Sequence, residues 1–83
     1  MLHSSDIKRI FEVKIPKGTT LTVTQIQNLV KDNFQLTEQD WEIHTKTRST
    51  NYRRWLHRVQ AVLSEYKKKG LVKHKPSTNS YTF

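Results

Sequence analysis

The chain has 83 residues, no cysteine and a formal net charge of +8. This length allows one domain, residues 1–83, with a thin core, because so small a domain buries only about 60–65% of its unfolded surface. The composition excludes disulfides and thiolate metal sites, and no apolar run is long enough for a signal peptide or a membrane span. We therefore expect a soluble intracellular protein without a membrane partner.

Charge is distributed unevenly along the chain. Residues 1–42 have a net charge of −1, whereas residues 43–83 have a net charge of +9 and contain a single acid, Glu65. A segment this basic favours a polyanionic partner, such as a nucleic acid, on one surface of the domain. The plainer interpretation is a solvated basic face without a partner.

The N-terminal segment fits two patterns. A helix capped by Ser4 or Ser5 would place three apolar residues on one face: Ile7, Ile10 and Phe11. Residues 11–15 also alternate as a strand would. The Pro-Lys-Gly sequence at 16–18 ends either element, and residues 19–22 then favour a short strand.

A second helix is predicted to end near Asn33. Its cap is Thr22 or Thr24, because each has a glutamine three residues later, as in a capping box. Apolar residues repeat along one face of this helix: Val23, Ile26, Leu29, Val30 and Phe34. Thr37, followed by Asp40, marks the start of a short helix or turn that places Leu36, Trp41 and Ile43 inward.

The strongest pattern in the chain comes after a polar loop at residues 44–50. Seven residues at helical spacing form one apolar stripe: Tyr52, Trp55, Leu56, Val59, Val62, Leu63 and Tyr66. We expect a long helix that starts near Asn51, is capped by Ser49 or Thr50, and ends at Gly70.

A hairpin is predicted after this helix. Residues 71–75 form its first strand, residues 76–79 its turn, and residues 80–83 its second strand. The order of elements predicts an α+β fold, a winged helix-turn-helix with three helices and a small antiparallel β-hairpin wing.

The face of the long helix opposite the stripe is basic. Four of its residues are expected to enter or border the major groove of DNA: Arg53, Arg54, His57 and Arg58. Asn51 is placed to read adenine at the start of this helix. The flanking loop and wing are expected to bind the phosphate backbone through Lys46, Arg48, Thr50, Lys73, Lys75, Thr78 and Asn79.

The aromatic residues are assigned to the core. Trp41 and the tyrosines and tryptophan of the stripe occur with aliphatic residues, which leaves no ring among the basic residues. This arrangement disfavours the binding of single strands by base stacking.

Catalysis has little support in the sequence. Glu12-Val13-Lys14, with Asp6 upstream, has the E-x-K form of some nuclease metal sites, but the match is short and 83 residues leave no room for the required sheet. The four histidines lack the paired spacing of a metal site, and no glycine-rich phosphate loop is present. We expect no catalytic residue, metal or cofactor.

Several short motifs in residues 20–83 are shared with a known family. They are Arg58-Val59, Tyr66 followed by three lysines, Gly70-Leu71, Tyr81-Thr82-Phe83, and the Leu-Thr-acidic turn at 36–40. With these motifs the chain resembles the N-terminal winged-helix domain of Mrr-type restriction endonucleases. It departs from the family in having Gln60-Ala61 where Trp-Ala is common, and Asn79 where the wing usually has glycine.

The resemblance implies a DNA-recognition module that accompanies a nuclease domain or subunit. We therefore expect a non-catalytic, double-stranded DNA-binding protein of a restriction-modification or transcription-regulation system, cytoplasmic and associated with the nucleoid. The alternative is a winged helix that makes protein–protein contacts and binds nucleic acid only non-specifically.

Overall fold

Residues 1–44 and 52–83 are described by the computed structural model of the chain. Within them the elements are, in order, α1 (Ser4–Lys14), β1 (Thr20–Thr22), α2 (Val23–Asn33), α3 (Arg54–Lys68), β2 (Lys73–Lys75) and β3 (Ser80–Thr82). The strands form one antiparallel sheet with β3 in the centre. The described part is thus an α+β domain with three helices and a terminal hairpin, an arrangement compatible with a winged helix.

The N-terminal element is a helix, so the strand interpretation of residues 11–15 is wrong. A strand that buried Phe11 and Ile15 would also bury Val13, but Val13 is largely exposed. The helix begins one residue earlier than the serine caps would allow, because His3 is the N-cap. The Asp6 carboxylate accepts a hydrogen bond from the His3 backbone N–H at 2.9 Å, which stabilises the first turn.

Helix α2 forms as predicted, and Thr22 rather than Thr24 is its cap. The Thr22 hydroxyl accepts from the Gln25 N–H at 3.2 Å, and the Gln25 side chain accepts from the Thr22 N–H at 2.9 Å. These two bonds complete a capping box. Ile26 and Val30 face the core, and the helix ends at Asn33.

Of the two alternatives after Thr37, a short helix or a turn, the structure has the turn. The Asp40 carboxylate accepts from the N–H and hydroxyl of Thr37, as the start signal requires, but its other oxygen accepts from the N–H of Leu2 at 2.9 Å. The chain then leaves the turn and pairs with the start of α3, which ends the helical path. Trp41 and Ile43 are consequently exposed, so the prediction that they turn inward is wrong.

Helix α3 begins at Arg54, three residues later than predicted, and its N-cap is Arg53 rather than Ser49 or Thr50. Tyr52 therefore lies outside the helix and does not extend its apolar stripe. The C-terminus matches the prediction: Gly70 has a φ of +72°. The Leu71 N–H donates to the Tyr66 carbonyl and the Gly70 N–H to the Lys67 carbonyl, which is a Schellman motif.

The core lies between the helices and one face of the sheet. Its buried apolar residues come from all three helices and the hairpin: Leu2, Ile7, Ile10, Phe11, Ile15, Ile26, Val30, Trp55, Val59, Val62, Leu63, Val72 and Tyr81. Leu36 and Tyr66 pack against this cluster from its edge. Among the described residues, every helix is too short or too polar to cross a bilayer.

Candidate nucleic-acid interface

The start of α3 is covered by the segment that precedes the loop. Residues 40–44 run antiparallel to residues 52–55, and Ile43 forms a bridge with Arg53. The first two N–H groups of the helix, those of Arg54 and Trp55, donate to the carbonyls of Glu42 and Asp40. These donors are therefore satisfied within the chain, and groove or phosphate contacts at this end depend on side chains.

Three of the four predicted groove residues contact this covering segment. The Arg53 guanidinium donates to the Trp41 carbonyl at 3.0 Å. Arg54 forms an ion pair with Glu42 at 3.4 Å, and about half of each side chain is exposed, 47% and 52%. The His57 ring stacks on His44 with the ring centroids 3.9 Å apart. The predicted residues are thus brought together, but in contact with residues 41–44.

The outer face of α3 carries small and polar residues and one lysine. His57, Ala61, Ser64 and Lys68 are exposed at helical spacing, while Arg58 is half-buried on the flank that also carries Glu65. Glu65 forms ion pairs with Lys8 of α1 at 2.7 Å and with Lys69 at 3.6 Å. The only acid of the basic half is therefore paired with two cations, and this lowers the pKa of its carboxyl.

The hairpin lies beside the middle of α3. Tyr81 of β3 is buried, and its hydroxyl meets the Gln60 side chain at 3.3 Å. His74 pairs with Tyr81 across the sheet, and their rings stack at 4.4 Å. Gln60, Tyr81 and His74 thus form a continuous bridge from the helix to the wing.

The wing lysines do not share this face. Successive residues of a strand point to opposite sides of a sheet, so Lys73 and Lys75 lie on the face away from His74 and Tyr81. Both are exposed on the edge strand, where charge also protects the open strand from pairing with another chain. The prediction that they bind the phosphate backbone therefore depends on the outer face and edge of the sheet, not on the face that carries Tyr81.

The tip of the wing is held by its own side chains. Thr78 and Ser80 share a hydroxyl hydrogen bond at 2.7 Å, and the Asn79 amide oxygen lies 3.3 Å from the His74 ring. Asn79 has a φ of +47°, a conformation that glycine and asparagine tolerate. Asparagine is therefore suited to this position of the turn.

Four predicted contacts lie outside the described residues: Lys46, Arg48, Thr50 and Asn51.

Sequence reasoning missed an aromatic cluster at the basic end of α3. The His57 ring stacks on His44, and both rings lie about 6 Å from the Tyr52 ring, 5.9 and 6.0 Å between centroids. Trp41, on the same covering segment, packs edge-on against Trp55 at 5.5 Å. The prediction that no ring occurs among the basic residues is therefore wrong. These rings are brought together because residues 40–44 pair with residues 52–55, and helical periodicity in the sequence does not predict this pairing.

Partial burial affects one hydroxyl of this cluster. Desolvation raises the pKa of Tyr52, which disfavours the phenolate further in this partly buried position. In the part of the chain that the structure describes, no three His, Asp or Glu side chains converge as ligands for a metal ion.

No family model, no curated protein and no solved structure matches this chain.

Proposed function

We propose that the chain is a non-catalytic winged-helix module that binds double-stranded DNA. The observation that carries the proposal is the segregation of charge, with a net charge of +9 on residues 43–83. The pairing of Glu65 with Lys8 and Lys69 removes the only acid of this half as a repulsive group. DNA binding by such a surface is driven largely by the release of counterions.

In this proposal the outer face and basic end of α3 approach the major groove. Arg54 exchanges its bond with Glu42 for a phosphate or a guanine edge. A half-exposed ion pair is worth only about 0–1 kcal/mol, whereas a bidentate contact to guanine discriminates by about 1–3 kcal/mol. The exchange is therefore favourable, and Ala61 and Ser64 are small enough to let the helix come close.

The wing acts on the phosphate backbone. Thr78 and Asn79 at its tip, with Lys75 next to them, supply the donors nearest to a groove edge. Lys73 and Lys75, on the outer face of the sheet, add charge rather than sequence readout. The resemblance to Mrr-type domains is the support for a nuclease domain or subunit as partner, and for a role in restriction-modification or transcription regulation.

The first test is a salt titration of binding to a labelled duplex, followed by fluorescence anisotropy. We expect the logarithm of the affinity to fall linearly with the logarithm of the salt concentration, with a slope that reports several phosphate contacts. Binding that is unchanged between low and moderate salt would contradict the proposal.

The second test compares Arg54→Gln with Lys31→Gln. Both remove one positive charge, but Lys31 is exposed at the end of α2, outside the proposed interface. We expect Arg54→Gln to weaken binding by about 1–3 kcal/mol if it reads a base, or to reduce the salt slope by about 1 if it binds phosphate. Equal effects of the two substitutions would place the interface elsewhere.

A protein contact is the second candidate, and one apolar groove favours it. Phe11, Ile15, Tyr66, Leu71 and Phe83 line this groove, and Leu71 is 56% exposed. Chemical-shift mapping with duplex DNA separates the candidates. Changes at residues 53–58 and 73–79 support DNA binding, whereas their absence, together with binding of a protein at the groove, supports the second candidate.

A further inference from the structure

We propose that the basic end of α3 binds nucleic acid with an unpaired base, and that Trp41 is the ring on which this base stacks. The inference rests on the proposed DNA-binding function and specifies its ligand, a duplex that carries an unstacked nucleotide. The site consists of Trp41, Arg53, Arg54 and His57.

Trp41 is exposed but held in place. Trp41 is 42% exposed, while Trp55, against which its ring packs edge-on, is only 5% exposed. The backbone N–H of Trp41 donates to the Thr37 and Glu38 carbonyls, and its carbonyl accepts from Arg53, so the backbone is held in place. The ring is restrained by its contact with Trp55, and a ring that is already restrained loses less conformational freedom when a base stacks on it.

Two arginines are bound to the segment that carries the ring. The Arg53 guanidinium donates to the Trp41 carbonyl, Arg54 pairs with Glu42, the next residue, and the exposed His57 follows one turn later on α3. A cationic surface with aromatic rings is the arrangement by which proteins hold unpaired nucleotides, and each stacked base is worth a large increase in affinity.

The acidic residues of this segment do not neutralise the positive charge of the site. Asp40 is buried and bonded to Leu2 and Thr37, and Glu42 is paired with Arg54 in the free protein, so that Arg53 supplies the positive charge beside the ring until Arg54 exchanges Glu42 for the nucleic acid. Glu38 is exposed and three residues from Trp41, and it is the carboxylate that a bound strand must avoid. We therefore expect Glu38→Gln to strengthen binding of the unpaired base.

The test uses the two tryptophans of the chain. In a Trp55→Phe protein, Trp41 is the only tryptophan, and stacking with a base quenches its emission. Two duplexes of the same length and sequence are compared, one fully paired and one with a single unpaired base. We expect the second duplex to bind roughly 5- to 150-fold more tightly and to quench the emission, with little quenching by the first.

Substitution of the ring separates stacking from charge. Trp41→Ala is expected to lower the affinity for the unpaired-base duplex to that for the paired duplex, whose binding stays unchanged; Trp41→Phe retains part of the difference. Melting curves of each variant check that it is folded. Quenching is also measured in the unsubstituted protein, in which the Trp41 site is unchanged.

The outcomes distinguish this inference from the proposed function. Equal affinity for the two duplexes, or a Trp41→Ala effect on both alike, would overturn the inference and leave duplex binding intact. Binding of neither DNA would overturn both and leave the exposed ring to a protein contact. Binding of the unpaired-base duplex alone would support stacking and overturn the fully paired duplex as the ligand.

Discussion

At the scale of single residues, Asp40 joins three parts of the chain. Its carboxylate accepts hydrogen bonds from Leu2 and Thr37, and its carbonyl accepts from the Trp55 N–H at the start of α3. Burial alone would raise the pKa of Asp40, but the hydrogen bonds from Thr37 and Leu2 and the nearby N-terminal charge outweigh it and lower the pKa. The folded protein therefore favours the ionised form.

We expect Asp40→Asn to lower the free energy of unfolding by about 1.5–3 kcal/mol, the range for hydrogen bonds to charged groups. The contribution of the carboxylate is complete above the pKa of an unfolded aspartate, about 3.9, and is lost as the pH falls through the lower folded value. Urea unfolding from pH 7 to pH 2 tests this. In the Asp40→Asn variant, the free energy of unfolding should fall less between pH 7 and pH 2 than it does in the parent. Glu38→Gln, an exposed change in the same turn, should leave this fall unchanged.

Trp55 is a second residue whose environment predicts the effect of substitution: two different replacements should have very different costs in stability. Its ring is buried, but its indole N–H has no hydrogen-bond partner among the described residues. Trp55→Ala should cost about 3–5 kcal/mol through the cavity it leaves. Trp55→Phe should cost much less, because it retains a ring and removes a donor that is already unsatisfied. Similar losses for the two variants, measured by urea unfolding, would show that the N–H is bonded in solution.

At the scale of elements, the ends of the helices are encoded locally. The capping box of α2 uses Thr22 and not Thr24, two residues of the same type that the sequence could not separate. We expect Thr22→Ala to lower the free energy of unfolding by about 1 kcal/mol, and Thr24→Ala, on the exposed surface of the same helix, to leave it unchanged or raise it by a few tenths, because alanine has the higher helix propensity. Thermal unfolding of both variants measures the difference, and the reverse order would contradict the assigned cap.

At the end of α3, glycine is favoured at position 70 because of the backbone conformation there, not because a side chain would lack space. A Cβ added there would meet no atom within 4 Å, but its φ is +72°. Gly70→Ala should therefore cost about 1 kcal/mol without a steric term, and Gly70→Asn should cost less because asparagine tolerates this conformation. If both variants unfold at the same urea concentration as the parent, the Schellman motif does not contribute to stability.

Elements also show where local patterns fail. The start signal at Thr37 and Asp40 formed its hydrogen bonds, yet no helix followed, because residues 40–44 pair with the start of α3 instead. Likewise, the apolar spacing placed Tyr52 in α3, but Glu42 and Asp40 supply the carbonyls that start this helix at Arg54. Both errors arise from partners more than ten residues away.

At the scale of the whole molecule, the net charge of +8 acts on folding and binding with opposite signs. Like charges repel within the folded domain, and salt screens this repulsion. We expect moderate salt to raise the midpoint of thermal unfolding while it lowers affinity for DNA. Calorimetry and anisotropy in the same buffers test the pair of trends. A midpoint that falls with salt would mean that the ion pairs of Glu42 and Glu65 outweigh the repulsion.

The sequence by itself determined the α+β class, the hairpin, the C-terminal end of α2, the glycine at the end of α3 and the basic character of residues 43–83. Each of these depends on composition or on residues within one helical turn or one hairpin. Tertiary structure decided where α3 starts, that Trp41 is exposed beside Arg53 and Arg54, and that Lys73 and Lys75 lie on the face of the sheet away from Tyr81. These features follow from pairing of residues 40–44 with 52–55 and from the register of β2 on β3, which no local period encodes.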